Sequence, residues 1–257
     1  MAEEEKKVAI ALPGEWALQK AFGPVLTEIG EDLKRLYAAG RDRILTIAVK
    51  KIANLDDGRR ANLRVTRDVL WNGAFTDDEV CAEYFGGLLA ASRSIDGKDD
   101  GAIPFVDVIK SLSAKQLHLH YATYNCLNKL LLQHKGGVNI GLGSELRQIK
   151  VWFASSELAE KLGLGIETDF TVLHRQGLVG DWRTEYVSLA HDGLYCSSVC
   201  PTTFGVLLYA AANNQLAAWE SFDSQSLGDF ENVLLPLAFA SSCEALCAKE
   251  EVAPWVR

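Results

Sequence analysis

Two capping boxes set the frame of the first half of the chain. Thr76-Asp-Asp-Glu79 and Ser113-Ala-Lys-Gln116 each place a hydroxyl three residues ahead of a Glu or Gln. That pattern satisfies two otherwise unpaired N–H groups at a helix start. Apolar residues follow each box at helical spacing: Val80, Tyr84, Leu88 and Ala91 after the first, Leu117, Tyr121, Tyr124, Leu127 and Leu131 after the second. Upstream, Pro24 stands where a first helical residue belongs, followed by Val25, Ile29, Leu33 and Leu36. Ile44, Ala48, Ile52 and Leu55 make a further stripe, closed by Asp56-Asp57-Gly58. Gly97 to Gly101 is a loop. Stripes of this kind bury one face each by packing on one another, so residues 1–135 are expected to form a helical bundle domain.

The style changes at Gly136-Gly-Val-Asn-Ile-Gly-Leu-Gly143. No Lys follows its last glycine and the spacing is not Gly-x-Gly-x-x-Gly, so a hinge is expected rather than a phosphate cradle. A short helix from near Ser156 and another over Asp169–Gln176, stopped by Gly177, come next. Glu185–Ala190 and Leu194–Val199 then flank His191-Asp-Gly193, a hairpin signal. Thr202 caps a helix holding Phe204, Leu207, Leu208 and Ala211. Helix, helix, hairpin, helix is the outline of a winged-helix module. The remainder, Asn213 to Ala248, reads as apolar and mostly helical. The expected fold is therefore mainly α: an N-terminal helical bundle (1–135), then a small winged-helix-like α+β module with a helical C-terminal extension (136–257).

Composition removes several function classes. Of 257 residues, 48% are hydrophobic and 23% charged, an ordinary globular balance that excludes a disordered or collagen-like chain. No apolar run approaches the roughly 18 residues of a spanning helix; Val233 to Ala240 is too short and contains Pro236. The acidic start, Met1-Ala-Glu-Glu-Glu, does not suit a signal peptide, and a cytoplasmic location is expected. Six cysteines without an export signal are expected to be reduced thiols. Cys196 and Cys200 are four apart, as are Cys243 and Cys247, whereas zinc-knuckle ligands sit two apart on a turn with Gly. No metal and no cofactor are expected. His118 and His120, two apart on a helix, point about 200° from each other and cannot share an ion. No Gly-x-Ser-x-Gly, His-Glu-x-x-His or zinc-deaminase pattern occurs, and neither Cys81 nor Cys126 has a His nearby in sequence. The chain reads as leaning away from an enzyme.

Charge is spread unevenly. Residues 1–135 are neutral overall, residues 136–257 carry a net −8, and no basic residue lies between Arg183 and Lys249. A recognition helix must meet a phosphate lattice with cations, so the C-terminal module is not expected to bind duplex DNA. Residues 34–67, by contrast, are net +7, and residues 76–107 are net −6. Arg41, Arg43, Lys50, Lys51, Arg59, Arg60, Arg64 and Arg67 are the candidate partner-binding residues, suited to an anionic partner. The competing reading is that these cations form an ordinary wet helix face, neutralised by Asp77, Asp78, Glu79 and Glu83.

Five short blocks resemble a known family. Ala21-Phe-Gly-Pro-Val-Leu-Thr-Glu-Ile-Gly30 resembles the opening of the abortive infection alpha (Abi-alpha) family of bacterial proteins. Tyr84-Phe-Gly-Gly-Leu-Leu-Ala-Ala-Ser-Arg93 is similar to its central block, and Phe105-Val-Asp-Val-Ile-Lys-Ser-Leu-Ser113 to the next. Leu173-His-Arg-Gln-Gly-Leu-Val179 and Thr202-Thr-Phe-Gly205 resemble its C-terminal elements. The likeness runs over residues 20–212 in the same order and leaves 213–257 unmatched. It implies a part in bacterial anti-phage defence of the abortive-infection type and carries over no catalytic residue; the charge map and the missing motifs favour action through protein contacts, self-association or sensing. A nucleic-acid-binding regulator using segment 34–67 and a hydrolase or nuclease without a recognisable motif stand as alternatives.

Overall fold

A computed structural model describes residues 34–134, 137–188, 193–233, 235 and 237–252. The stripe after Pro24 up to Leu33, the block Ala21–Gly30 and the hairpin tip at His191-Asp192 lie outside the described residues; Leu36, the last member of that stripe, is exposed. In the first half, helix α1 is described from 34 to 50. It is followed by β1 (Arg60–Ala61), α2 (Leu63–Gly73), α3 (Glu79–Ala91), β2 (Arg93–Ser94), α4 (Ile103–Ile109) and α5 (Ala114–His134). The second half contains α6 (Gly143–Leu146), β3 (Val151–Ala154), α7 (Ser155–Leu162), α8 (Ile166–Arg175), β4 (Val179–Ser188), β5 (Gly193–Pro201) and α9 (Thr203–Ala212). A 3₁₀ turn over Leu216–Ser221, β6 (Phe239–Ala240) and α10 (Cys243–Val252) complete it.

The architecture is mixed α/β, with two small sheets. The first half is thus not purely helical: β1 and β2 pair antiparallel, Arg60 opposite Ser94 and Ala61 opposite Arg93. The second sheet has the order β4-β5-β3-β6, antiparallel throughout. Between β3 and β4 run α7 and α8, and both pack against α5. One buried apolar cluster extends from Ile44 on α1 to Leu237, drawing on residues from both halves. α3 sits at its centre, with an unbroken buried run from Val80 to Ala90, packed on α2, α5 and α9. Its Gly87 lies so close to α9 that an added Cβ would sit 1.8 Å from the Ala212 carbonyl oxygen.

Local chemistry explains the boundaries. The second capping box forms as expected: Ser113 Oγ accepts from Gln116 N–H, and Gln116 Oε1 accepts from Ser113 N–H at 2.9 Å. The first does not start at Thr76. Asp78 is the N-cap, its carboxylate accepting from Cys81 N–H at 2.9 Å, because an Asp two residues on offers the stronger acceptor. α1 stops at 50, so Ile52 and the exposed Leu55 are not on its stripe. The Asn54 and Asp57 side chains there accept from Asp56 and Arg59 N–H, which draws the backbone into turns. α8 starts earlier than its sequence pattern, at Ile166, behind the N-cap Gly165, whose N–H is held by Asp169 Oδ2 at 2.9 Å. It ends at Gly177 in a Schellman turn, with φ +70° and Leu178 N–H bonded to Leu173 O. Thr202 caps α9 by accepting from Gly205 N–H at 3.0 Å. The tail departs from the helical expectation. Ser221, Asp223, Ser224, Ser226, Gly228 and Asn232 are turn formers, and regular structure returns only with β6 and α10.

Candidate functional site

The eight predicted partner-binding residues do not share one open face. Arg41 pairs with Asp42 at 2.8 Å. Arg43 donates to the backbone carbonyl of Asp77 at 2.9 Å. Lys50 pairs with Glu231 at 2.5 Å, on the surface. Arg64 meets Asp100 at 3.1 Å and Arg67 meets Asp68 at 2.6 Å, again in water. Arg59 and Arg60 are exposed and have no ion pair among the described residues. The acidic segment 76–107 therefore does take up some of the positive charge, through Glu83 and Asp100. Exposed pairs of this kind contribute little to stability.

Lys51 is a different case. Its ammonium lies 2.5 Å from Glu83 Oε2, donates to Ala212 O at 2.6 Å and stands 4.4 Å from the centre of the Phe230 ring. The side chains of Lys51 and Glu83 are only 13% and 5% exposed. Burial lowers the Lys51 pKa, with the Glu83 carboxylate opposing. This pair ties α1 to α3 and to the end of α9, and it is inward-facing rather than presented to a partner. It opens on a cavity of about 180 Å³ shared with Lys50, Asp229 and Glu231.

Three aromatic residues alter the reading of the basic segment, and sequence reasoning passed over them. On α2, Arg64, Arg67 and Trp71 recur at spacings of three and four, so they line one outer face, with Leu63 beside them. Leu63 is 84% exposed and Trp71 67%. Trp71 meets Phe75 edge-on at 6.2 Å, and Phe75 meets Tyr37 of α1 at 5.6 Å. The available signal was Trp71 falling seven residues after Arg64 on a helix whose buried stripe is Val65, Val69 and Gly73.

The interior holds polar groups that are spent on structure. Tyr84 OH and His120 Nδ1 share a hydrogen bond, and burial pushes the His120 imidazole down to about 3. Tyr124 OH donates to Leu178 O, and Tyr209 OH donates to Gly228 O at 2.7 Å. Asn125 donates to Asp229. A larger cleft of about 720 Å³ is lined by Arg147, His174, Asp181 and Thr202 among others. There His174 Nδ1 donates to Gly180 O at 2.9 Å and Thr202 Oγ1 to Gly177 O at 2.6 Å. His118 does not join His120, as expected; its Nε2 lies 3.0 Å from Asp78 Oδ2.

The cysteines separate into different environments, and none of the six is in a disulfide. Cys200 Sγ points to Arg147 O at 3.5 Å. Cys196, Cys243 and Cys247 instead converge, their sulfurs all within 4.8 Å of one another, as a group of three metal-ligating side chains among the described residues. Burial raises the Cys196 pKa, reinforced by the two neighbouring thiols. Among the described residues, no helix is long and apolar enough to cross a membrane. Set against known proteins, the chain matches no family model, no curated protein and no solved structure.

Proposed function

We propose that this chain is a bacterial anti-phage defence component of the abortive-infection type, working through protein contacts rather than catalysis, with the outer face of α2 as the contact surface. The observation that carries the contact reading is the Trp71–Phe75 pair, exposed beside Leu63 and rimmed by Arg64 and Arg67. Trp and Arg are the residues whose burial gives most at protein interfaces, because each combines large contact area with a directed polar or cationic group. The fitting partner is a protein surface with an apolar pocket ringed by carboxylates. The defence role is supported by the resemblance to the Abi-alpha family over residues 20–212.

We read the segment β3-α7-α8-β4-β5 as a winged-helix-like module serving as scaffold. Support comes from the order of elements and from the β4-β5-β3 pairing. The outer residues of α8 include Glu167 against Arg175, and Arg183 on β4 is paired with Glu185 at 2.7 Å. That leaves few cations for a phosphate lattice. The test is Trp71→Ala combined with Arg67→Glu. Both side chains are solvent-exposed, so the melting temperature should hold while phage protection in cells is lost. Full protection by the stably folded double variant would refute the contact surface. Arg43→Glu with Lys50→Glu probes the α1 cations in the same assay. Loss there, with Trp71→Ala/Arg67→Glu still protective, would move the function to the anionic-partner alternative.

A further inference from the structure

Cys243 and Cys247 sit one turn apart on α10, so both project from the same face of that helix. That face lies against the edge of the sheet formed by β3 and β6. Cys196, on β5, stands opposite Ala154 of β3 on one side and Glu185 of β4 on the other. The three side chains are buried together with Trp152, Leu194, Leu246 and Ala240, in a cluster separate from the main core.

We propose that Cys196, Cys243 and Cys247 form a binding site for a single thiophilic divalent metal ion, Zn(II) in type, that fastens α10 to the sheet. The geometry is close to what such an ion needs. Zn–S bonds of about 2.3 Å in a tetrahedron separate the sulfurs by about 3.8 Å. From separations within 4.8 Å, closing up takes thiol rotation and a shift of about 1 Å or less. Ligand softness selects the class of ion: three sulfurs with no carboxylate or imidazole among them exclude Mg(II) and Ca(II) and favour Zn(II), Cd(II) or Cu(I). Charge then favours the divalent ions. Three thiolates leave a net −1 around a divalent ion and −2 around a monovalent one, and the apolar shell penalises the larger buried charge. On binding, each thiol gives its proton to solvent as its sulfur–metal bond forms, and the fourth position is open to a water molecule.

Metal-free cysteines were expected because each pair is spaced by four residues rather than the two of a zinc knuckle. The set found here takes one thiol from a strand and two from a helix more than forty residues later, and it leaves out Cys200, which the spacing had grouped with Cys196.

The test uses the full chain, reduced, stripped with chelator and then titrated with Zn(II) against a chromophoric competitor. A parallel titration with Cd(II) reads the ultraviolet thiolate-to-metal charge-transfer band. One ion per chain, a saturable Cd(II) band and a higher melting temperature with Zn(II) are expected. Cys196→Ser, Cys243→Ser and Cys247→Ser should each weaken binding about tenfold or more, while Cys200→Ser leaves it unchanged. Absence of the Cd(II) band together with no Zn(II)-dependent shift in melting temperature of the wild-type chain would overturn the proposal, whatever the variants do. So would unchanged affinity in a folded Cys196→Ser chain, or equal loss in Cys200→Ser.

Discussion

Replacing Lys51 by Met tests whether this cation belongs to the interior. Met keeps most of the stem that packs on Phe230 but deletes the ammonium. Glu83 is then left as a buried carboxylate without its counter-ion, and Ala212 O loses the donor at 2.6 Å. Breaking one side of a buried pair costs about 3–5 kcal/mol, since the surviving charge has neither partner nor water. With a urea slope of about 3 kcal/mol/M for a chain this size, a loss of 4 kcal/mol lowers the unfolding midpoint by about 1.3 M. The double variant Lys51→Met/Glu83→Leu removes both charges and should recover about half of the loss. The remainder is the orphaned Ala212 carbonyl, at about 1–3 kcal/mol. Lys50→Met, one residue away but in water, should leave the midpoint where it was. The assay is urea unfolding followed by circular dichroism on all four chains. A Lys51→Met midpoint within 0.3 M of wild type, about 1 kcal/mol at the same slope, would refute the buried-pair reasoning. A double variant no more stable than Lys51→Met alone would do the same.

Three further outcomes are expected. Gly87→Ala should destabilise the chain by about 3 kcal/mol or more, because its methyl group would overlap backbone rather than a movable side chain at Ala212; a midpoint equal to wild type would show that α3 and α9 can slide apart. His120 is held neutral with its pKa near 3, against about 6.5 when unfolded, so the unfolded chain takes up the extra proton between those values. Stability should therefore be complete above about pH 6.5 and fall as the pH drops toward 3, by up to about 4–5 kcal/mol. His120→Gln should flatten that slope in denaturation curves collected across the window. Ser113→Ala removes the hydroxyl half of the capping box on α5 and should cost about 1 kcal/mol, read as a lower melting temperature, with Ser113→Asp restoring it.

Local signals were legible wherever one side chain decides its own neighbourhood. The Ser113–Gln116 box, the Thr202 cap and the stop at Gly177 depend on atoms three or four residues apart, and each formed where its pattern lay. The start of α3 moved from Thr76 to Asp78 because two acceptors competed within one turn, and only the packed helix selects between them. What the tertiary structure alone decided is which side chains meet across the chain. Lys51 and Lys50 are adjacent and chemically identical, yet one is buried against Glu83 and Ala212 while the other pairs with Glu231 in water. No periodicity distinguishes them, because the difference comes from α3 and α9 closing over one side of α1. The pairing of β1 with β2 joins residues more than thirty positions apart, and two-residue strands carry no alternation to read. The cysteines make the same point. Their spacing within each pair argued against a metal, whereas the convergence of Cys196 with Cys243 and Cys247 exists only once α10 has folded back on the sheet, since a sulfur cluster is a property of distance in space.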